Sequence, residues 1–188
     1  MPSVAVVPAA GRGERFGGAK LAAMLRGEAL LNHTIRCLLD GGVDAVVIVT
    51  SPNTQLDHVS LAADPRVRQV TNPDPSRGMF SSLQEGLAAA PGDPILILPG
   101  DMPFVAAETV TAVLAEARDS QLIVSPSHLG QRGHPIALPA RLRQAILSAQ
   151  ADTTLAEVLE PESGSRRIIE LNDPGILRDV DVPEDLFR

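Results

Sequence analysis

The densest run of chemically capable residues is Pro8 to Lys20, which reads Pro-Ala-Ala-Gly-Arg-Gly-Glu-Arg-Phe-Gly-Gly-Ala-Lys. Gly11, Gly13, Gly17 and Gly18 free the backbone for positive φ and for close approach to a ligand. Successive backbone N–H groups in such a loop can form a concave anion site. Arg12, Arg15 and Lys20 add three cations, the arginines able to grip phosphate bidentately and the lysine acting as a point charge. The chemistry this combination suits is the holding of a phosphate chain. Two familiar phosphate loops fail here. A dinucleotide fingerprint needs glycine three residues after Gly13, where Phe16 stands, and a P-loop needs Gly-Lys-Ser/Thr where the chain has Gly18-Ala19-Lys20-Leu21. The plainer alternative is a glycine-rich turn with solvated basic side chains.

Further along, Leu98-Pro99-Gly100-Asp101-Met102-Pro103 puts a carboxylate just beyond an apolar run. Mg²⁺ prefers oxygen ligands and typically takes one or two carboxylates plus substrate phosphates, so Asp101 is the candidate metal ligand. The plainer alternative is an Asp that only shapes a turn before Pro103. Asn72-Pro73 followed by Gly78-Met79-Phe80-Ser81-Ser82-Leu83 reads as a loop entering a helix, with Ser81 or Ser82 expected as its cap. Arg132-Gly133-His134-Pro135 holds a histidine beside an arginine. Near the C-terminus, Asp179-Val180-Asp181 offers a second carboxylate, while Pro183 and Glu184 suit the first turn of a helix. His33, His58 and His128 lack such context. Cys37 lies in an apolar helical pattern and reads as core packing, and no Cys/His spacing suggests zinc.

These loops need elements to present them. Val4–Val7, Ala45–Thr50, Ile95–Leu98, Leu122–Ser125, Ile136–Leu138 and Ile168–Leu171 are continuous apolar runs, the pattern of strands covered on both faces. Between them, Leu30, Leu31, Ile35, Leu38 and Leu39 recur at helical spacing up to Gly41-Gly42. Further helices are marked by Ser82, Leu83 and Leu87, by Val110, Val113, Leu114 and Ala117, and by Leu142, Ala145, Ile146 and Ala149. Alternating strands and helices predict an α/β fold: one Rossmann-like, mostly parallel sheet with helices on both faces, in a single domain spanning residues 1–188. Ligands in such sheets sit beyond the carboxyl ends of the strands. The loops after Val7, Val70, Leu98 and Ser125 should therefore carry the site.

Composition narrows the function classes. A formal net charge of −7 gives no surface-wide attraction for nucleic acid or anionic membranes, so neither is expected as a partner. Aromatic residues are only 2 %, with no Trp and no Tyr, which argues against single-strand nucleic-acid and sugar-stacking platforms. One cysteine excludes an internal disulfide and suits a reducing cytoplasm. Met1–Ala10 lacks a charged leading region and is broken at Pro8, so a signal peptide is not expected.

Ala9-Ala10-Gly11-x-Gly13-x-Arg15-Phe16-Gly17 with Lys20 resembles the opening motif of the molybdenum-cofactor nucleotidyltransferases, and within them the molybdopterin cytidylyltransferases. The resemblance implies a nucleotide-diphospho-sugar transferase-like fold and an enzyme that moves a nucleoside monophosphate from a triphosphate to a small phosphorylated acceptor. Ala9, Ala10, Gly11, Gly13, Asn72, Gly78 and Ser82 would contact the nucleotide. Arg15 and Lys20 would offset charge on the leaving pyrophosphate, and Asp101, matching the family's Gly-Asp-x-Pro, would hold Mg²⁺ with Asp181. Arg132 and His134, in a segment similar to the family's Arg-Gly-His-Pro-Val, would face the acceptor. The implied partners are a nucleoside triphosphate, a pterin acceptor and a molybdoenzyme receiving the product. Ala10 favours the cytidylyl over the guanylyl branch. Sugar-phosphate enzymes tend to show Gly-x-Gly-Thr-Arg, whereas Glu14 precedes Arg15 here. Methylerythritol-phosphate cytidylyltransferases tend to continue Pro-Lys-Gln, whereas this chain has Ala19-Lys20-Leu21. The chain departs from the family at Ala151–Ala156, where Gly-Asp-x-Gly-Ala-Arg is expected and only Asp152 matches, and near Met24, where the family has a proline after the lysine. That departure motivates a second class of function, a nucleotide-binding regulator or molybdoenzyme maturation partner without turnover. A nicotinamide or flavin oxidoreductase is a third, disfavoured by Phe16.

Overall fold

The computed structural model describes residues 1–11, 16, 20–54, 56–150 and 153–187. The strands are β1 (Val4–Ala9), β2 (Met24–Leu25), β3 (Glu28–Ala29), β4 (Ala45–Thr50), β5 (Val67–Thr71), β6 (Ile95–Ile97), β7 (Ile123–His128), β8 (Gln131–Arg132), β9 (Ile136–Leu138) and β10 (Arg166–Glu170). The helices are α1 (Leu30–Asp40), α2 (Met79–Ala89), α3 (Ala107–Ser120), α4 (Arg143–Ser148) and α5 (Leu155–Val158). An eight-stranded sheet runs in the order β10-β7-β9-β6-β1-β4-β5, with β8 paired to β7. Pairs β1–β4, β1–β6, β4–β5 and β7–β10 are parallel. Strand β9 runs antiparallel to both β6 and β7, so the sheet is mixed at that point and mostly parallel elsewhere.

Period-2 alternation divides the core. Ala5, Val7, Val46, Ile48, Leu96 and Leu98 share one face with Leu31, Ile35 and Leu38 of α1 and Val110 and Leu114 of α3. Val4, Val6, Val47, Val49, Ile95 and Ile97 share the other with Phe80, Leu83 and Leu87 of α2 and Ile146 of α4. Because both faces are covered, the apolar runs are continuous rather than alternating. The exception is β10 at the sheet edge, where Ile168 is 51 % exposed. Its apolar run reads as a doubly covered strand, yet one face is open. Cys37 is buried in α1 as expected, and burial pushes its thiol up to about 12, with the charges of Asp173 and Asp40 adding to the effect. Among the described residues no helix is long and apolar enough to cross a membrane.

Chain order places the ligand end of the sheet. From β1 the chain builds outward through β4 and β5, then returns to add β6 on the other side of β1. The order reverses between β1 and β6, and such a switch point opens a crevice at the carboxyl ends of those strands. Close bonds hold the two exits together: Leu98 N–H donates to Val6 O at 3.2 Å and Gly100 N–H to Pro8 O at 3.0 Å. From α1, the buried Thr34 hydroxyl donates to Gly100 O at 3.1 Å, fixing the loop that carries Asp101.

The C-terminal segment is fastened over the same loop. Asp173 is buried and its carboxylate accepts from Ala106 N–H, the Thr109 hydroxyl and Gly175 N–H at 3.0, 2.7 and 2.9 Å. The following turn leaves no room for side chains. A Cβ at Gly175 would lie 1.9 Å from Phe104 O, and one at Gly133 would lie 2.3 Å from Ile176 O. Val180 N–H then donates to Asp101 O at 2.9 Å, which brings Asp181 to the mouth of the crevice.

Candidate active site

A cavity of about 830 Å³ lies at the carboxyl ends of β1, β4 and β6. Its floor is Pro8, Ala9, Ala10 and Gly11, and Pro99 and Asp101 form one wall. Ser51, Asn53 and Thr54 from the β4 exit also line the cavity, as do Pro75 and Gly78 from the turn before α2 and Met79 and Ser82 from α2 itself. Lys20, Leu21 and Ala22, a short 3-10 turn leading into the β2–β3 hairpin, complete the rim. The size lies within the range of small-molecule sites.

Charge concentrates at one corner. The Lys20 ammonium donates to the Asp101 carboxylate at 2.7 Å and to the Asp181 carboxylate at 3.1 Å. Its side chain is 12 % exposed, against 28 % and 38 % for the two aspartates. Burial alone would lower the lysine's pKa. The hydrogen bonds and charges of Asp101 and Asp181 outweigh burial and hold it above the ordinary lysine value. Two carboxylates beside a cavity that can admit phosphate are a donor set that suits a divalent ion, and here both are bonded to the Lys20 ammonium. Among the described residues no three His, Cys, Asp or Glu side chains converge to hold a metal. Asp101 and Asp181 therefore fit Mg²⁺ only if phosphate oxygens and water complete its shell.

Helix α2 starts differently from expectation. It begins at Met79, so Ser81 and Ser82 sit inside its first turn and neither is the cap. Gly78 occupies that position at φ 90°, a conformation that favours glycine. The Ser81 hydroxyl donates back to Gly78 O at 2.7 Å. The Asn72 side chain is fully buried, and its amide donates to the Ser81 and Ser82 hydroxyls, both at 2.9 Å. Asn72 thus lines no cavity wall and instead holds the turn from which Gly78 and Ser82 reach one.

A second cavity of about 280 Å³ abuts the first across Pro8, Gly78, Met79 and Pro99, and His134 lines it. The His134 pKa lies below the ordinary histidine value: burial lowers it, with Asp101 and Asp179 opposing. The folded protein therefore holds the imidazole neutral over a range where the unfolded chain, titrating near 6.5, is protonated. That contribution to stability is complete above about pH 6.5 and is lost as the pH falls through the window below it. Urea midpoints at pH 7.5 and 5.5 are expected to fall further in the wild type than in His134→Asn; equal falls would refute the assignment. Arg132, on the exposed hairpin strand β8, lines neither cavity.

Of the residues singled out in the sequence, Ala9, Ala10, Gly11, Lys20, Gly78, Ser82 and Asp101 line the large cavity, Asp181 reaches it through Lys20, and His134 lies next door. Gly13 and Arg15, like Arg12, Gly17, Gly18, Ala151 and Asp152, lie outside the described residues. Ser51, Asn53 and Thr54 were missed, although the rule that ligands sit at strand exits applies to the end of β4 as well as to β1.

The chain matches the MobA-like NTP transferase domain over residues 5–168. It is 34 % identical to the nicotine blue oxidoreductase of Paenarthrobacter nicotinovorans, covering 97 % of this chain and 94 % of that protein. It is 22 % identical to the molybdenum cofactor cytidylyltransferase of Escherichia coli, covering 97 % and 92 %. Among solved structures, a nucleotidyl transferase from Methanothermobacter superposes with a TM-score of 0.81 at 25 % identity, over 98 % of this chain and 94 % of that one. A manganese complex of Rv0371c from Mycobacterium tuberculosis superposes with a TM-score of 0.69 at 21 % identity, over 91 % and 88 %.

Proposed function

The chain belongs to the MobA-like NTP transferase family and is a nucleotidyltransferase; from that premise we propose that it transfers CMP from CTP to molybdopterin, releasing pyrophosphate. The observation that carries the reading is the Lys20 ammonium between Asp101 and Asp181 at the mouth of a nucleotide-sized crevice. The triphosphate lies along Ala9–Gly11 and Gly13, with Gly78 and Ser82 against the nucleoside and Asn72 positioning that turn. Lys20 and Arg15 neutralise charge developing on the leaving pyrophosphate. Asp101 and Asp181 hold Mg²⁺, which when bound supplies charge neutralisation along the phosphate chain. An oxygen of the acceptor phosphate, presented from the side of His134, attacks the α-phosphorus. The bond from that phosphorus to the bridging oxygen breaks, and pyrophosphate leaves with the electron pair. Little covalent chemistry falls to the protein, whose work is positioning and charge.

Pyrophosphate release with Mg²⁺ and molybdopterin, compared across CTP, GTP, ATP and UTP, tests the reading. Release is expected with CTP foremost. Preference for another nucleotide would overturn the cytidylyl assignment, and release only with a sugar or polyol phosphate would overturn the pterin. Triphosphate binding with no release under any acceptor would favour a regulator or molybdoenzyme maturation partner. A further reading is favoured by one observation, the 34 % relative named as an oxidoreductase. It predicts consumption of a reduced nicotinamide without pyrophosphate.

A further inference from the structure

Strand β10 ends the sheet, and no strand among the described residues pairs with its outer edge. Leu171 N–H, one residue past β10, donates to Ser127 O of β7 at 2.8 Å. Peptide groups alternate sides along a strand. Arg167 and Ile169 therefore also turn theirs to β7, while Arg166, Ile168 and Glu170 turn theirs outward. Such an edge is a template for another strand, and proteins usually blunt it with lysine, proline or a bulge. Here the register runs unbroken from Arg166 to Glu170, with neither lysine nor proline in it. Ile168 stands half exposed at its centre, with Arg167 and Glu170 exposed on either side. The opposite edge, β5, is different. There Val67 N–H is taken by Asp64 O at 2.8 Å, and Val67-Arg68-Gln69-Val70-Thr71 holds a cation and no anion.

We propose that the outer edge of β10 is a homodimer interface, in which two copies of this chain pair antiparallel about a two-fold axis through Ile168. A closed two-fold pairing of one strand with its own copy is necessarily antiparallel. Outward residues must meet outward residues for the backbone to bond, which leaves few registers. Centred on Ile168, Arg166 of each copy faces Glu170 of the other, and the two Ile168 side chains meet at the axis. Centring on Arg167 or on Glu170 sets like charges directly opposite, which is unfavourable. Centring on Ile169 puts Glu170 opposite Ile168 and leaves Arg166 facing no carboxylate. Within one chain Arg166 donates to Leu159 O at 2.8 Å, and Glu170 accepts from the Ser127 hydroxyl. A guanidinium has five N–H donors and a carboxylate about four acceptor positions, so both keep capacity for the pair across the axis. One strand pair buries less than the roughly 1,200 Å² of a stable interface, so the dimer is weak and concentration-dependent. The pairing is independent of the transferase reading, since β10 lines neither cavity.

Sedimentation equilibrium of the full chain, up to millimolar concentration, is expected to show a monomer–dimer exchange. Ile168→Lys should weaken the dimer at least about ten-fold, because it sets two ammonium groups at the axis. Ile168→Pro should do the same by removing an outward N–H from each copy, at an edge position where proline is tolerated. If the proline variant proves unstable in urea, the lysine variant carries the test. The register is read separately. A hydrogen-bonded antiparallel pair holds its Cα atoms about 5.5 Å apart, within disulfide reach. Ile168→Cys treated with oxidised glutathione should therefore form a covalent dimer, and Arg68→Cys on the exposed β5 edge should not. Cys37 is buried with its thiol pushed up to about 12, so it stays silent. A monomer at every concentration, a dimer unmoved by Ile168→Lys, or Arg68→Cys crosslinking as readily as Ile168→Cys would each overturn the proposal. Failure of the pyrophosphate assay would overturn the transferase reading and leave the dimer standing.

Discussion

Replacing Asp101 by Asn is expected to lower the rate of pyrophosphate release by roughly 10²–10³ at saturating Mg²⁺, as loss of a preorganised electrostatic contact does elsewhere. The substitution should leave the fold intact, which makes the result readable. What ties this loop to the rest of the chain is backbone: Gly100 N–H to Pro8 O, Thr34 to Gly100 O, and Val180 N–H to Asp101 O. The Asp101 side chain bonds only to Lys20 among the described residues. An asparagine fills the same space without the charge, so the urea midpoint should move little. Asp181 alone would then face both Lys20 and the incoming cation, with half the negative charge. Full turnover in the asparagine variant would remove Asp101 from the proposed mechanism, and a collapse of the urea midpoint would assign it to structure instead.

The legibility of this corner in the sequence was uneven, for physical reasons. Buried strands are short and purely apolar, and Ala45–Thr50 and Ile136–Leu138 were recognisable to the residue. The place of Asp101 beside the cavity was readable because loops that leave such runs lie at the ligand end of the sheet. Strand direction was not readable: nothing in Ile136-Ala137-Leu138 says that β9 runs against both neighbours. Nor was the meeting of Lys20 with Asp181, which lie 161 positions apart and are joined by the fastening of the C-terminal segment through Asp173, Gly175 and Val180. Ser81 and Ser82 were misplaced because serine is a common cap and Gly78, at φ 90°, took that position by a backbone preference that composition does not reveal. The second cavity was invisible for a different reason. Phe80 and Leu83 look like core in the sequence and are core, and only packing opens a gap beside them.

Lys20→Met should separate two roles that the wild type combines. Turnover is expected to fall by roughly 10²–10³, because a charge near the leaving pyrophosphate is lost. Mn²⁺ binding to the nucleotide-free protein, read from the electron paramagnetic resonance of the free ion, is expected to tighten at least about ten-fold. The reason is position. With no nucleotide bound, the ammonium stands 2.7 and 3.1 Å from the two carboxylates that a divalent ion would use, and the pair hold it protonated above the ordinary lysine value. A metal arriving alone must displace a unit positive charge from a partly buried site and then face it at close range, where like charges repel by several times their value in bulk water. A triphosphate changes the balance by offering that ammonium another anion, so the wild type should gain Mn²⁺ affinity when CTP is added and Lys20→Met should gain far less. If the methionine variant binds Mn²⁺ no better than the wild type, the lysine does not guard the site. If it binds worse, the lysine helps to build the site, and Asp101 and Asp181 do not hold the metal as a pair.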